Sequence, residues 1–216
     1  MRKTVLVKTY TALPDYHRKE ILRYAGAREE SVEVGTLLDE CLAECDGVFT
    51  PKVCYLALTK AEFFTMFPPS ETAKLWTEGC EQIVLFSATV GLGIDRLVNR
   101  YSTVSTAKAL VLQAIGAERI ERLCDLFCEE YVGEKQRSQK RFSPGYGDFP
   151  LSVQKEIFAL LNPFKHIGVT LTGSLLMSPT KSVTAAFGIK NVLEEGENKQ
   201  KNCESCNQKD CEFRRD

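Results

Sequence analysis

No stretch of this chain reaches the roughly 18 uninterrupted apolar residues that a membrane-spanning helix needs. The opening Met-Arg-Lys-Thr-Val-Leu-Val-Lys has neither the apolar core nor the cleavage site of a secretory leader, so the expected location is the cytoplasm. Charge of one sign is not in surplus either: 28 Lys and Arg face 29 Asp and Glu. A formal net charge of −1 draws no polyanion through bulk electrostatics, and nucleic acid is not an expected partner. Gly91-Leu-Gly93 lacks the third glycine of a dinucleotide fingerprint and the Gly-Lys-Ser/Thr of a phosphate loop, which leaves a strand-to-helix corner. Histidine is scarce, with His17 and His166 alone, and no nucleophile–histidine pair or acid–base dyad stands out.

What is present supports one packed unit. With 216 residues, 44% hydrophobic and 26% charged, the chain can bury about 70% of its unfolded surface. Of nine cysteines, Cys41, Cys45, Cys54, Cys80, Cys124 and Cys128 sit mostly within apolar segments, the pattern of reduced core thiols. From Gly188 the polarity rises, so the folded domain is expected over residues 1–192, with a polar linker and Cys-rich tail over 193–216.

Thr4 to Tyr10 reads as an opening strand, and Tyr16 to Tyr24 as a helix that carries His17 on its solvated side. Val34, Leu37, Leu38, Cys41, Leu42 and Cys45 repeat at helical spacing. Val53–Thr59 and Gln82–Val90 are β-rich, with a helix starting at Ser70 or Glu71 between them. Ile94 to Tyr101 is helical, and Thr106 to Tyr131 is the longest helical region, expected to bend or split at Gly116. Past Pro150 a helix runs to a stop at Asn162-Pro163. Residues 167–172 and 182–187 then read as a β-hairpin closed by the turn Ser178–Lys181. This alternation predicts an α+β fold.

Chemical character concentrates in Arg141-Phe-Ser-Pro-Gly-Tyr-Gly-Asp-Phe-Pro150. Pro144 fixes its own φ and Gly145 admits positive φ, which makes a tight turn with exposed peptide groups. Arg141 offers a planar fork for a carboxylate or phosphate, and Tyr146 adds a ring face and a hydroxyl. Arg-x-x-Pro-Gly-Tyr resembles the signature of the activation (reactivation) domain of cobalamin-dependent methionine synthase. The resemblance continues through Lys165-His-Ile-Gly-Val-Thr-Leu-Thr172, Ser174, Met177, Pro179 and Ser182-Val183, and covers roughly residues 80–190.

That resemblance implies a twisted, mainly antiparallel sheet flanked by helices, acting as a free-standing S-adenosylmethionine-binding module. The module would support reductive methylation of cob(II)alamin on a methionine synthase lacking its own activation domain. An electron donor such as a flavodoxin or ferredoxin would assist. Arg141 would pair with the ligand's carboxylate, peptide groups at Ser143 and Gly145 would bond its polar atoms, and Pro144 and Tyr146 would shape the pocket. An acidic residue from the long helix would meet the amine, with Glu118 the candidate. Two departures stand out: Ser152 replaces a His of the family's Pro-x-His, and Gly173 replaces the Glu of its Thr-Glu-Ser.

The tail carries Cys203, Cys206 and Cys211, a Cys-x2-Cys-x4-Cys cluster in polar surroundings. Three thiols in nine residues can converge on Zn²⁺ or an iron–sulfur cluster with a fourth ligand from elsewhere, or can form a redox-active tail. The cluster lies outside the family signature. It leaves open an autonomous corrinoid-linked methyltransferase or redox protein.

Overall fold

The computed structural model describes residues 3–27, 29–132 and 136–191. Its elements are β1 (Leu6–Thr9), α1 (Arg18–Tyr24), α2 (Val32–Glu44), β2 (Lys52–Thr59), α3 (Lys60–Met66), α4 (Glu71–Trp76), β3 (Gln82–Thr89), α5 (Gly93–Tyr101) and α6 (Thr106–Val132). There follow β4 (Gln136–Ser138), α7 (Gln154–Leu161), α8 (Pro163–Ile167), β5 (Thr170–Leu171), β6 (Met177–Ser178) and β7 (Ser182–Asn191). The α+β expectation holds: five strands form an antiparallel sheet in the order β1-β2-β3-β7-β4, covered by helices.

Both faces of that sheet are buried, so its central strands are near-continuous apolar runs. In β3, Val84, Phe86 and Ala88 face one core, which α1, α2, α5 and α6 complete. Ile83 and Leu85 face a second core built with Phe63, Phe67, Phe142, Phe149, Ile157 and Leu161. The six cysteines expected in the core are all buried and free. Burial pushes the Cys45 and Cys54 thiols up to about 12, so they pack as small apolar groups.

Several local expectations are corrected. Residues 182–187 do not close a hairpin on 167–172: they belong to β7, which pairs with β3 from Ser182↔Thr89 to Ile189↔Gln82. The hairpin that exists is shorter, β5 with β6, Thr170↔Ser178 and Leu171↔Met177. Gly116 does not split the long helix, which runs unbroken through it. A Cβ there would meet Lys181 at 3.0 Å and Ile94 at 3.1 Å, so it is a close-crossing point within α6. Pro163 restarts a helix, because left-handed Asn162 caps α8 by accepting from the Lys165 N–H. His17 caps α1 rather than lying within it, its Nδ1 accepting from the Glu20 N–H at 3.3 Å.

Candidate functional site

The segment after β4 runs along β7, and the alternation of extended backbone sends neighbouring side chains to opposite layers. Phe142 forms a β-bridge with Ala186, both N–H···O distances being 2.8 Å, and enters the second core, where Trp76 stacks on it at 4.9 Å. The Trp76 indole donates to the Lys140 carbonyl at 2.7 Å. Arg141 points the other way, to α6. Its Nη1 donates to Asp125 and its Nη2 to Glu121. Burial opposes its charge, but Cys124, Glu121 and Asp125 together outweigh burial and hold the guanidinium above its ordinary value.

Beyond Phe142 the chain turns. Pro144 is buried and Gly145 takes φ +94°. The Gly145 N–H donates to the Phe149 carbonyl at 2.8 Å, and the Ser143 carbonyl accepts from the Tyr146 N–H at 3.2 Å. The expectation of outward-facing peptide groups therefore needs correction at Gly145: its donor is turned inward. Tyr146 is 54% exposed, its ring edge-on to Phe142. Asp148 caps α4 from outside the helix, accepting from the Ser70 hydroxyl at 2.6 Å and from the backbone N–H groups of Glu71 and Thr72 at 2.7 and 3.1 Å. These donors hold its carboxyl well below the usual carboxylate range. A Cβ on Gly147 would lie 2.3 Å from the Thr72 hydroxyl, so the turn is pressed against α4 there. Anchors on both sides make the corner a stiff platform.

Glu118, the acidic candidate, is only 2% exposed. One carboxylate oxygen accepts from the His17 N–H at 3.1 Å and from Arg119 at 2.7 Å. Arg119 in turn donates to the Pro14 and Asp15 carbonyls and lies over the Tyr16 ring at 4.0 Å. The pair staples residues 14–17 to α6, a buried ion pair satisfied by its surroundings. The acids that α6 brings to Arg141 are Glu121 and Asp125, which share a face with Glu118 at helical spacing. The sequence showed that face but not its direction.

Between α1 and α6 lies a cavity of about 230 Å³ lined by His17, Tyr24, Glu118, Glu121, Arg122 and Asp125, among others. A wider hollow of about 660 Å³ lies on another side of α1, beside Leu22, Arg23 and Gly26, and touches none of the expected site residues. The Gly91-Leu-Gly93 corner is closed: a Cβ on Gly91 would sit 2.1 Å from the Thr50 hydroxyl, and one on Gly93 2.2 Å from the Val48 carbonyl. Among the described residues no group of three or more His, Cys, Asp or Glu could hold a metal ion. Cys203, Cys206 and Cys211 lie outside the described residues.

Residues 74–192 match the vitamin B12 dependent methionine synthase activation domain family. The chain belongs to that family. Within the activation-domain match lie the whole corner, Arg141, and all of the acidic face of α6; α1 and its side of the cavity lie before it. Among solved structures, the crystal structure of the MetH reactivation domain bound to AdoHcy is similar, with a TM-score of 0.58 and 17% identity. The similarity covers 87% of this chain and 78% of that one, so the activation-domain fold includes the N-terminal elements as well. No curated protein matches the chain. Among the described residues no helix is long and apolar enough to cross a membrane.

Proposed function

We propose that this chain binds S-adenosylmethionine on the surface shared by the 141–146 corner and α6, and presents its methyl group to cobalamin carried by a methionine synthase. The observation that supports it most is the joining of Arg141, Glu121 and Asp125 beside a cavity, all within the activation-domain match. An amino-acid end needs one anionic and one cationic neighbour, and this face supplies both. Arg141 serves it either by offering remaining N–H groups to the ligand's carboxylate or by holding Glu121 and Asp125 where an ammonium meets them. The cavity is smaller than the roughly 300–1,000 Å³ of enclosed small-molecule sites, which suits one end of the ligand.

In the reaction this implies, the sulfonium supplies a methyl group and a separate donor, such as a flavodoxin or ferredoxin, supplies one electron. Cob(II)alamin on a methionine synthase lacking its own activation domain would thereby be returned to its methylated form. The chain's own contribution is orientation. No acid–base group is required of it, because breaking the sulfonium's S–CH3 bond releases a neutral thioether, which leaves without being protonated.

Calorimetric titration with S-adenosylmethionine tests the reading. Wild type is expected to bind in the micromolar range and Arg141→Ala at least tenfold more weakly, the scale of one lost charge-assisted contact. A wild-type protein that takes up no ligand would sink it. Adding a cobalamin-bearing methionine synthase and a reductant then checks for methyl transfer that neither protein supports alone.

A further inference from the structure

β1 is the outermost strand at the end of the sheet remote from β4, so one side of its backbone has no strand beside it. The Tyr10 N–H donates to the Pro51 carbonyl at 3.0 Å, in the register that sets Thr9 opposite Lys52. Peptide groups alternate sides along a strand, so Leu6 and Lys8 also turn theirs to β2, while Val7 and Thr9 present N–H and C=O groups outward. The side chains of this edge are apolar on both faces. Leu6 shares the α6 side with Lys8 and Tyr10 and is 51% exposed, and Val7 lies with Val5 on the side of the second core and is 46% exposed. Lysine is the usual guard of such an edge, because it repels a second strand. Here both lysines are neutralised, Lys3 by Glu62 of α3 and Lys8 by Glu130 of α6.

The edge is also complementary to itself. A two-fold axis normal to the sheet lays β1 antiparallel on its own copy and sets residues of like parity opposite each other. With Leu6 opposite Leu6, Val7 meets the partner's Val5 and Lys8 meets the partner's Thr4. Apolar side chains then face apolar ones on both sides of the sheet, and no lysine faces a lysine. A slip of one residue pair puts Leu6 against Lys8, or Val7 against Lys3. The chain's own stretch 194–212 has no Val, Ile, Leu or Phe with which to match this pattern.

We propose that β1 is a self-association edge, through which two copies join their five-stranded sheets into one antiparallel sheet with Leu6 at the two-fold axis. β7, along which the 141–146 corner is laid, stands near the other end of the strand order, so both corners stay open in the pair. One short strand per copy is a small contact, which makes the dimer reversible, with a dissociation constant on the order of 10–100 µM.

Sedimentation equilibrium of the full chain under reducing conditions, from about 5 to about 500 µM, spans that range. Wild type is expected to pass from monomer to dimer. Leu6→Lys sets two ammonium groups face to face at a position already half exposed, and is expected to associate at least tenfold more weakly. Cross-linking reads the register. Opposed residues of a non-hydrogen-bonded pair have Cα atoms about 4.5 Å apart, within reach of a disulfide. In the full chain carrying Cys203→Ser, Cys206→Ser and Cys211→Ser, Leu6→Cys should give a covalent dimer under a mild oxidant and Lys8→Cys should not. If Leu6→Lys fails to fold, the cross-linking pair decides alone. Wild type that stays monomeric at the highest concentration, a dimer that persists undiminished in Leu6→Lys, or a dimer without cross-linking at position 6 overturns the proposal.

Discussion

Two glycine-bearing corners of this chain look alike in sequence and behave oppositely in the fold. Gly91-Leu-Gly93 leads from β3 into α5, and Pro144-Gly-Tyr leads away from β7. Each turns on a glycine at positive φ, +88° at Gly91 and +94° at Gly145. In the first, glycine answers crowding: the backbone passes so close to Thr50 and Val48 that no side chain fits. In the second, glycine answers curvature alone, since a Cβ on Gly145 would have only Leu151 near it, at 3.7 Å, with open space beyond. A glycine pattern marks a special backbone, and only the neighbouring chain decides whether that backbone is a packing device or an accessible surface.

Substitution at the first corner gives the largest expected effect. Gly91→Ala combines overpacking against Thr50 with left-handed strain, and should cost about 4 kcal/mol in a denaturant melt. Its folded fraction should keep the ligand affinity of wild type. A tolerated substitution there would erase the contrast. At the second corner, Gly145→Ala should cost only about 1 kcal/mol of stability, the strain of φ +94°. It should nevertheless weaken S-adenosylmethionine binding on the order of tenfold in calorimetry, because the new methyl stands on the exposed face. Equal affinity would place the ligand elsewhere.

The smallest effect sharpens the picture of how the second corner is anchored. Asp148 has its folded pKa depressed by the Ser70 and Thr72 hydroxyls and the Glu71 N–H. Its contribution to stability is therefore complete above the unfolded value near 3.9 and fades as pH falls below it. Asp148→Asn should lower the melting midpoint at neutral pH and flatten its dependence on pH in that acidic window. A variant with the wild-type acid profile would show that the cap on α4 is not what fixes the turn.

Elements whose cause is local were legible from residues alone. Helical spacing gave α2 and α6, the apolar run 82–90 gave β3, and the setting of the cysteines gave their burial. What failed depends on partners distant in the chain. β7 pairs with β3 roughly a hundred residues earlier, and nothing in 182–187 distinguishes that pairing from a hairpin with 167–172. Gly116 looks like a helix break until Lys181 and Ile94 are seen across it. The proposed site divides in the same way. Arg141, Pro144 and Tyr146 are singled out by the Arg-x-x-Pro-Gly-Tyr resemblance. That α6 turns Glu121 and Asp125, and not Glu118, toward Arg141 depends on how the helix sits against the segment along β7, which residue types alone do not carry.

The stacking of Trp76 on Phe142 has a practical side. Trp76 is the only tryptophan among the 216 residues, and its indole is tied to Lys140, directly before Arg141. Tryptophan fluorescence of the whole chain thus comes from one emitter seated under the corner. Shifts in its colour or intensity on titration can follow events at that corner in real time, with no label attached.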